Sequence, residues 1–355
     1  MTEERDKREK RKDEHIGLAL SDETPADSHF DQLSFVHTSL PEIRLKDVDL
    51  QVNLPDFVLE TPFYINAMTG GSSRTGTINK KLAEVARATG LAMAVGSQHA
   101  GLRNEQLAET YTIVRKANPK GILFANVGAD ASPEFALKAV EMIEANALQI
   151  HLNAPQELIM PEGERDFSGW LERIEYIQSR VRVPVIVKEV GFGMSRETIA
   201  RLHDAGVAYV DVSGRGGTNF IGIENKRRIH QEYAYLENWG QTTAISLVEA
   251  QEFMDRLTVF ASGGIRNPLD AVKCLSLGAR AIGLASLVLR AVMDEGTDFA
   301  IAEIEHWQEQ VKTICTMLGA RNPVELTRCP LVIGKEVREW CEARGIDWRN
   351  YASRK

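Results

Sequence analysis

The segment Gln149-Ile150-His151-Leu152-Asn153-Ala154-Pro155-Gln156-Glu157 gathers an imidazole, amides and a carboxylate within a few residues. Alternate side chains of an extended strand share a face, so His151 and Asn153 point one way while Ile150 and Leu152 point the other. In a parallel barrel the apolar pair faces the helices. That leaves His151 and Asn153 in the mouth, with Gln156 and Glu157 in the loop beyond. Together these groups can bind a polar substrate and a hard cation, because one carboxylate plus substrate phosphates is the usual way Mg2+ is held. Unliganded strand-end hydrogen bonding is the plainer reading, and the convergence of four such groups weighs against it.

Lys188 ends the apolar run Val185-Ile186-Val187, and a cation so placed needs an anion or an acceptor. Alternation points its neighbour Glu189 to the opposite face, and a structural ion pair within a barrel is the alternative to a ligand contact. Small-residue turns supply the other half of a site. Ala67-Met68-Thr69-Gly70-Gly71 follows Phe63-Tyr64-Ile65-Asn66 and leaves backbone open to a flat ligand. Ser213-Gly214-Arg215-Gly216-Gly217-Thr218, Ser262-Gly263-Gly264-Ile265-Arg266 and Gly283-Leu284-Ala285-Ser286 follow three later strands. Backbone N–H groups in such late turns form the usual phosphate site of a (β/α)8 barrel. Ser97 and Asn126 each place one small polar group at the end of an earlier strand. Near the N-terminus, Arg11-Lys12-Asp13-Glu14-His15 could clamp a diphosphate, although its interleaved acids also suit a solvated charge run.

The elements that must position these groups repeat. Apolar runs recur at Phe63–Asn66, Leu91–Gly96, Ile122–Val127, Leu148–Asn153, Pro184–Val190, Ala208–Ser213, Leu257–Ser262 and Ala281–Ala285. Continuous apolar runs suit strands buried on both faces of a parallel sheet. Helical patterns separate them: Thr77–Thr89 stops at Gly90, Arg196–Ala205 at Gly206, and Pro268–Leu277 at Gly278, each a C-cap signal. Strand and helix alternating through eight repeats favours a (β/α)8 TIM barrel, and 355 residues accommodate one such barrel plus extensions. We divide the chain into a mobile N-terminal arm at residues 1–35, a barrel at 36–320 and a C-terminal helical extension at 321–355. The connection Asn219–Thr242 is too long for a simple loop and reads as a lid or binding element. A net charge of −8 argues against nucleic acid and anionic membrane as partners. No apolar run is long enough to span a membrane. The four cysteines show no metal or disulfide rhythm and suit a reduced, cytoplasmic protein.

Taken together, Arg11-Lys12-x-x-His15, Phe35-Val36-His37-x-Ser39-Leu40-Pro41, Ala67-Met68-Thr69-Gly70-Gly71, Gly96-Ser97-Gln98, His151-x-Asn153-x-x-Gln156-Glu157, Val187-Lys188-Glu189, Ser213-Gly214-x-Gly216-Gly217-Thr218 and Gly263-Gly264-x-Arg266 resemble type 2 isopentenyl-diphosphate isomerase, the flavin-dependent class. The resemblance covers nearly the whole chain. It implies a barrel carrying FMN, Mg2+ on the substrate diphosphate, flavin reduction by NADPH, and cytosolic homotetramers or homo-octamers. It further implies FMN contacts from Ala67, Met68, Thr69, Ser97, Asn126, Lys188, Ser213 and Thr218, with the phosphate on Gly263, Gly264, Arg266, Ala285 and Ser286. Substrate contacts would come from Arg11, Lys12, His15, Ser97, Gln98, His99 and Gln156, catalysis from His151, Asn153 and Gln156, and metal binding from Glu157. Gln156 is neither a strong acid nor a strong base and is assigned positioning. His151 either moves a proton or binds the diphosphate, and the sequence does not separate the two.

Other flavin and nucleotide barrels fit less well. A 2-hydroxy acid oxidase needs a His-Gly-Gly-Arg base motif after a late strand, where this chain reads Arg215-Gly216-Gly217-Thr218. An inosine-monophosphate-dehydrogenase-like enzyme needs a nucleophilic cysteine after the sixth strand, and none lies between Ala208 and Thr242. A catalytically silent flavin barrel would have no use for His151, Asn153, Gln156 and Glu157.

Overall fold

The computed structural model describes residues 28–354 together with Gly17. Eight parallel strands close into a barrel. They are β1 (Phe63–Ile65), β2 (Ala92–Ala94), β3 (Leu123–Gly128), β4 (Ala147–Leu152), β5 (Val185–Glu189), β6 (Tyr209–Asp211), β7 (Thr258–Ser262) and β8 (Ala281–Leu284). Each pairs with its successor, and β8 returns to β1 through Ile282 opposite Phe63. All eight apolar runs of the sequence are barrel strands, although several strands are shorter than their runs.

Alternation sorts the side chains as a closed barrel requires. Tyr64, Phe124, Ala147, Ile186, Tyr209, Phe260 and Ala281 fill the barrel interior, while Ile65, Ile150, Val187, Val210 and Ile282 join the cluster under the helices. A short hairpin pairing Val52–Asn53 with Val58–Leu59 adds Val52, Leu54 and Leu59 to the interior cluster and so plugs the base of the barrel.

The helices begin and end on local signals. The helix Ser73–Thr89 starts one turn earlier than its apolar pattern, because Ser72 and Thr75 form a capping box, and it stops at Gly90 in the left-handed conformation. Pro268 opens the helix Pro268–Ser276 under an Asn267 cap. The long connection between β6 and β7 carries a lid helix, Phe220–Lys226, and a short turn at Ala234–Leu236.

The arm boundary needs correcting. Residues 28–35, assigned to a mobile arm from their polar surroundings, are anchored. Phe30 is fully buried and Leu33–Phe35 pairs antiparallel with Leu331–Ile333 of the C-terminal extension. Lys273 donates to the Phe30 carbonyl at 2.8 Å and Gln32 accepts from the Val337 N–H at 3.1 Å. The extension therefore serves as the seat on which the chain enters the barrel. Arg11, Lys12 and His15 lie outside the described residues. No helix among the described residues is long and apolar enough to cross a membrane.

Candidate active site

Strands β5, β6 and β7 end in a buried polar knot. The register sets Lys188 beside Asp211. Lys188 Nζ lies 3.5 Å from Asp211, donates to Ser213 Oγ at 3.0 Å and to the Glu189 carbonyl at 2.6 Å. Asp211 also accepts from the Tyr64 hydroxyl, from Ser262 Oγ at 2.9 Å and from the Ser213 N–H at 3.1 Å. Burial and the Asp211 charge push the Tyr64 phenol well above its ordinary value. Ser213 holds a left-handed φ of 28°, strained for a residue with a Cβ, and this turns the chain toward the glycine turn. Lys188 thus meets the ion pair that its apolar strand required, and its charge sits in the mouth half of the barrel. Glu189 faces the other way, buried, with its carboxyl accepting from the Val190 and Phe192 N–H groups, and burial pushes its pKa up to about 8.

The β4 constellation forms beside this knot. His151 Nδ1 lies 2.9 Å from Asn126 Oδ1. The Asn126 amide nitrogen donates to the Val95 carbonyl at 3.1 Å, which fixes the amide so that its oxygen accepts from the imidazole. Nδ1 therefore carries the proton and Nε2 keeps its lone pair. Burial, then the nearby His99, lower the His151 pKa to about 4 against the opposing pull of Asp130. Asn153 is not a strand residue as alternation required. β4 ends at Leu152, and Asn153 starts the helix Ala154–Ile159. From there its amide donates to Glu157 Oε1 at 2.8 Å, while Glu157 Oε2 accepts from the Glu164 N–H at 2.8 Å. Gln156 reaches across to the lid helix and donates to Glu224 Oε1 at 3.1 Å.

The remaining expected residues divide. Ala67 and Met68 line the mouth half-buried, whereas Thr69 is buried and donates to Asn79 at 2.6 Å. Ser97 Oγ lies 3.2 Å from His99 Nδ1 and both remain accessible. Gln98 does not join them: its side chain is fully buried, donating to the Ala139 carbonyl and accepting from the Asn126 N–H, each at 2.9 Å. Through these bonds its side chain ties the turn after β2 to β3. The glycine turns after β6 and β7 pack backbone to backbone. Gly263 has φ 88°, and a Cβ there would lie 2.1 Å from the Gly214 carbonyl oxygen. Thr218 follows that cradle, half-buried, and Ala285 and Ser286 open the helix after β8. The Arg266 side chain is held by two carboxylates. Its guanidinium pairs with Asp31 at 2.8 Å and with Asp270 at 2.8 Å, locking the anchored N-terminal segment to the barrel.

Two residues of the site were absent from the sequence reading. Asp211 carried a usable signal, an acid two places before Ser213 on the inward face of an apolar strand. Glu224, whose side chain is fully buried, carried almost none, because a single acid in a short helix far along the chain has no periodic partner.

The donor set fits FMN. Glycine-rich turns at β6 and β7 suit a phosphate, and Lys188 would offer a cation to the polar edge of a flavin held at the strand ends. Mg2+ is met by one carboxylate, Glu157. Among the described residues no three His, Cys, Asp or Glu side chains are grouped to hold a metal ion, so a cation here needs oxygens from a bound diphosphate.

Comparison with known proteins agrees with this geometry. Residues 100–332 match the FMN-dependent dehydrogenase family. Solved structures with the same fold include a flavocytochrome b2 variant with benzoylformate (TM-score 0.66, 20% identity, covering 88% of this chain and 81% of that one) and a mandelate oxidase variant with an FMN adduct (TM-score 0.64, 17% identity, 90% and 92%). The isopentenyl-diphosphate delta-isomerase of Staphylococcus epidermidis is 54% identical over 96% of this chain and 97% of its own length. That of Staphylococcus aureus is 53% identical over the same shares. With a barrel of the FMN-dependent type and relatives this close over almost their full length, the chain belongs to the isopentenyl-diphosphate delta-isomerase family, in its type 2, FMN-dependent class.

Proposed function

We infer that this protein is an FMN-dependent isomerase interconverting isopentenyl diphosphate and dimethylallyl diphosphate by a 1,3-proton shift. One observation supports this over a dehydrogenase: His151, the Gln156–Glu224 pair and the Glu157 carboxylate all sit at the end of β4 and in the turn after it, while the chain reads Arg215-Gly216-Gly217-Thr218 where an oxidase carries its His-Gly-Gly-Arg base motif.

The reaction has no net redox change. A proton is added at one end of the alkene and another leaves the allylic carbon. Reduced FMN, when bound, supplies an acidic N5 position and an electron-rich ring facing the developing cation. Lys188 would hold the pyrimidine edge of the flavin and favour its anionic reduced form. His151, neutral at pH 7, would offer its Nε2 lone pair as a base or as an acceptor that orients the substrate. Gln156, held by Glu224, positions the reacting carbons, and Asn153 orients Glu157. Glu157 would take one Mg2+ position, with diphosphate oxygens filling others. Ser97 and His99 would meet the diphosphate, and Arg11, Lys12 and His15 complete its clamp in this reading. NADPH as the reductant, a cytosolic location and assembly into a homotetramer or homo-octamer belong to the same proposal. Four free, buried cysteines suit a reducing compartment. Exposed apolar side chains such as Leu40 and Met317 suit contact between copies.

The test is anaerobic turnover of isopentenyl diphosphate with oxidised FMN, reduced FMN and reduced 5-deazaFMN, with and without Mg2+. Activity is expected with reduced FMN and Mg2+, and the 5-deaza analogue is expected to be poor because carbon replaces N5. NADPH oxidised in proportion to product would overturn the isomerase reading in favour of an oxidoreductase.

A further inference from the structure

A third segment closes on the two glycine turns that follow β6 and β7. A Cβ on Gly216, which has φ 122°, would lie 3.1 Å from Ser28 Cβ and 3.1 Å from Gly264 Cα. A Cβ on Gly264, which has φ 70°, would lie 3.0 Å from Ser28 Cβ and 2.9 Å from Gly216 Cα. Three stretches of backbone thus meet at one point, and Ser28 supplies the only side chain there. Ser28 is 1% exposed, and among the described residues its hydroxyl meets no hydrogen-bond partner. The residues after it are fixed to the segments that flank each turn. His29 Nδ1 lies 3.0 Å from Thr242 Oγ1, and Thr242 bridges to Arg215 within the β6 turn. Asp31 pairs with Arg266 just past the β7 turn, and the Phe30 carbonyl accepts from Lys273 in the helix that follows. The Asp31 carboxylate is 77% exposed, so its pair contributes little. Fully buried Phe30 and the close contact at Ser28 do most of the anchoring.

We propose that Ser28 is a positioning residue for the cofactor, a buttress whose Cβ keeps the β6 and β7 turns at the spacing their backbone N–H groups need to bind the FMN phosphate; this rests on reading those turns as the phosphate site. Glycine has the widest choice of backbone conformation, so turns built from it take their spacing from what packs against them. Donors held in place before the ligand arrives bind it more tightly, because less ordering is left to do. The size of the side chain is what the contact selects. A buried hydroxyl without a partner is unfavourable, so the hydroxyl is not what the contact needs. A larger side chain would overfill a point where the two turns already approach within 3.1 Å of a Cβ.

Ser28→Val adds methyl bulk where there is no free room. Without flavin the turns relieve the overlap by moving apart. Binding the phosphate draws them together again, so the cost falls on the loaded form. The FMN affinity of the full chain, read from flavin fluorescence, should fall by about 5- to 150-fold. Riboflavin, which carries the same ring and no phosphate, should bind as it does to the wild type. Ser28→Ala keeps the Cβ and should bind FMN as the wild type does. If the valine variant does not fold, Ser28→Thr, with one added methyl, should show the same selective loss at smaller size. An equal loss for FMN and riboflavin, or no loss for FMN, would overturn the proposal. A loss in Ser28→Ala would also overturn it, by making the hydroxyl itself the contact. Gly263→Ala tests the premise separately: if it leaves FMN affinity unchanged, the turns do not hold the phosphate. Amide hydrogen exchange at Gly214 and Gly216 then still decides the buttress. Faster exchange in the valine variant supports it, and wild-type rates refute it.

Discussion

Replacing Asp211 with asparagine tests the buried knot and its link to the flavin together. The side-chain shape is kept and the charge is removed. Lys188 is 5% exposed and Asp211 is 0% exposed, so Lys188 would be left as a buried cation without its anion. Breaking one partner of such a pair costs about 3–5 kcal/mol. The asparagine amide also places a donor where Asp211 accepted from Tyr64, Ser262 or the Ser213 N–H, leaving one of those donors unpaired. That loss is coupled to the first and is not added to it. At roughly 2 °C per kcal/mol for a large domain, Tm should fall by about 6–10 °C in the apoprotein. If Lys188 faces the flavin, oxidised FMN returns acceptor oxygens to it and anionic reduced FMN returns a full charge, so the penalty should shrink in that order. Calorimetry of the apo, oxidised and reduced forms measures all three. A Tm within a degree or two of wild type in the apoprotein would refute the charge pair. An equal penalty in all three forms would refute the placement of Lys188 at the flavin.

Three further outcomes follow from the same geometry. Glu157→Gln should leave FMN bound but sharply lower activity and raise the Mg2+ requirement; unchanged Mg2+ dependence in a titration would remove Glu157 from the metal. Gly263→Ala, strained at φ 88° and driven against the Gly214 carbonyl, should weaken FMN binding measured by quenching of flavin fluorescence, and wild-type affinity would show that the turn does not bear on the phosphate. His151 titrates at about 4 when folded against an ordinary 6.5, so keeping it neutral stabilises the fold fully above the ordinary value, and that contribution is lost as pH falls toward 4. The loss amounts to as much as about 3 kcal/mol. Urea midpoints at pH 7 and pH 4.5 should therefore diverge more in wild type than in His151→Asn, and equal divergence would count against the neutral imidazole.

What the sequence determined alone was the periodic part. Each apolar run had to be buried on two faces, and glycine had to end the helices between them, so eight strand–helix repeats led to a closed barrel. Alternation along β4 and β5 aimed His151 and Lys188 inward, and the chemistry of a cation in an apolar strand required a counter-ion without saying which. Tertiary structure alone supplied the partners. Barrel register places Asp211 beside Lys188. Folding of the lid carries Glu224 across 68 positions to Gln156. Closure also supplied partners that no motif announced: Gln98 meets the Ala139 carbonyl, and Arg266 meets Asp31. Local periodicity reports which face a side chain takes, because that follows from backbone geometry within a few residues. Which distant group meets it there depends on strand register and on how loops close over the barrel. Those are set by packing the whole core at once, and no short stretch of sequence encodes them.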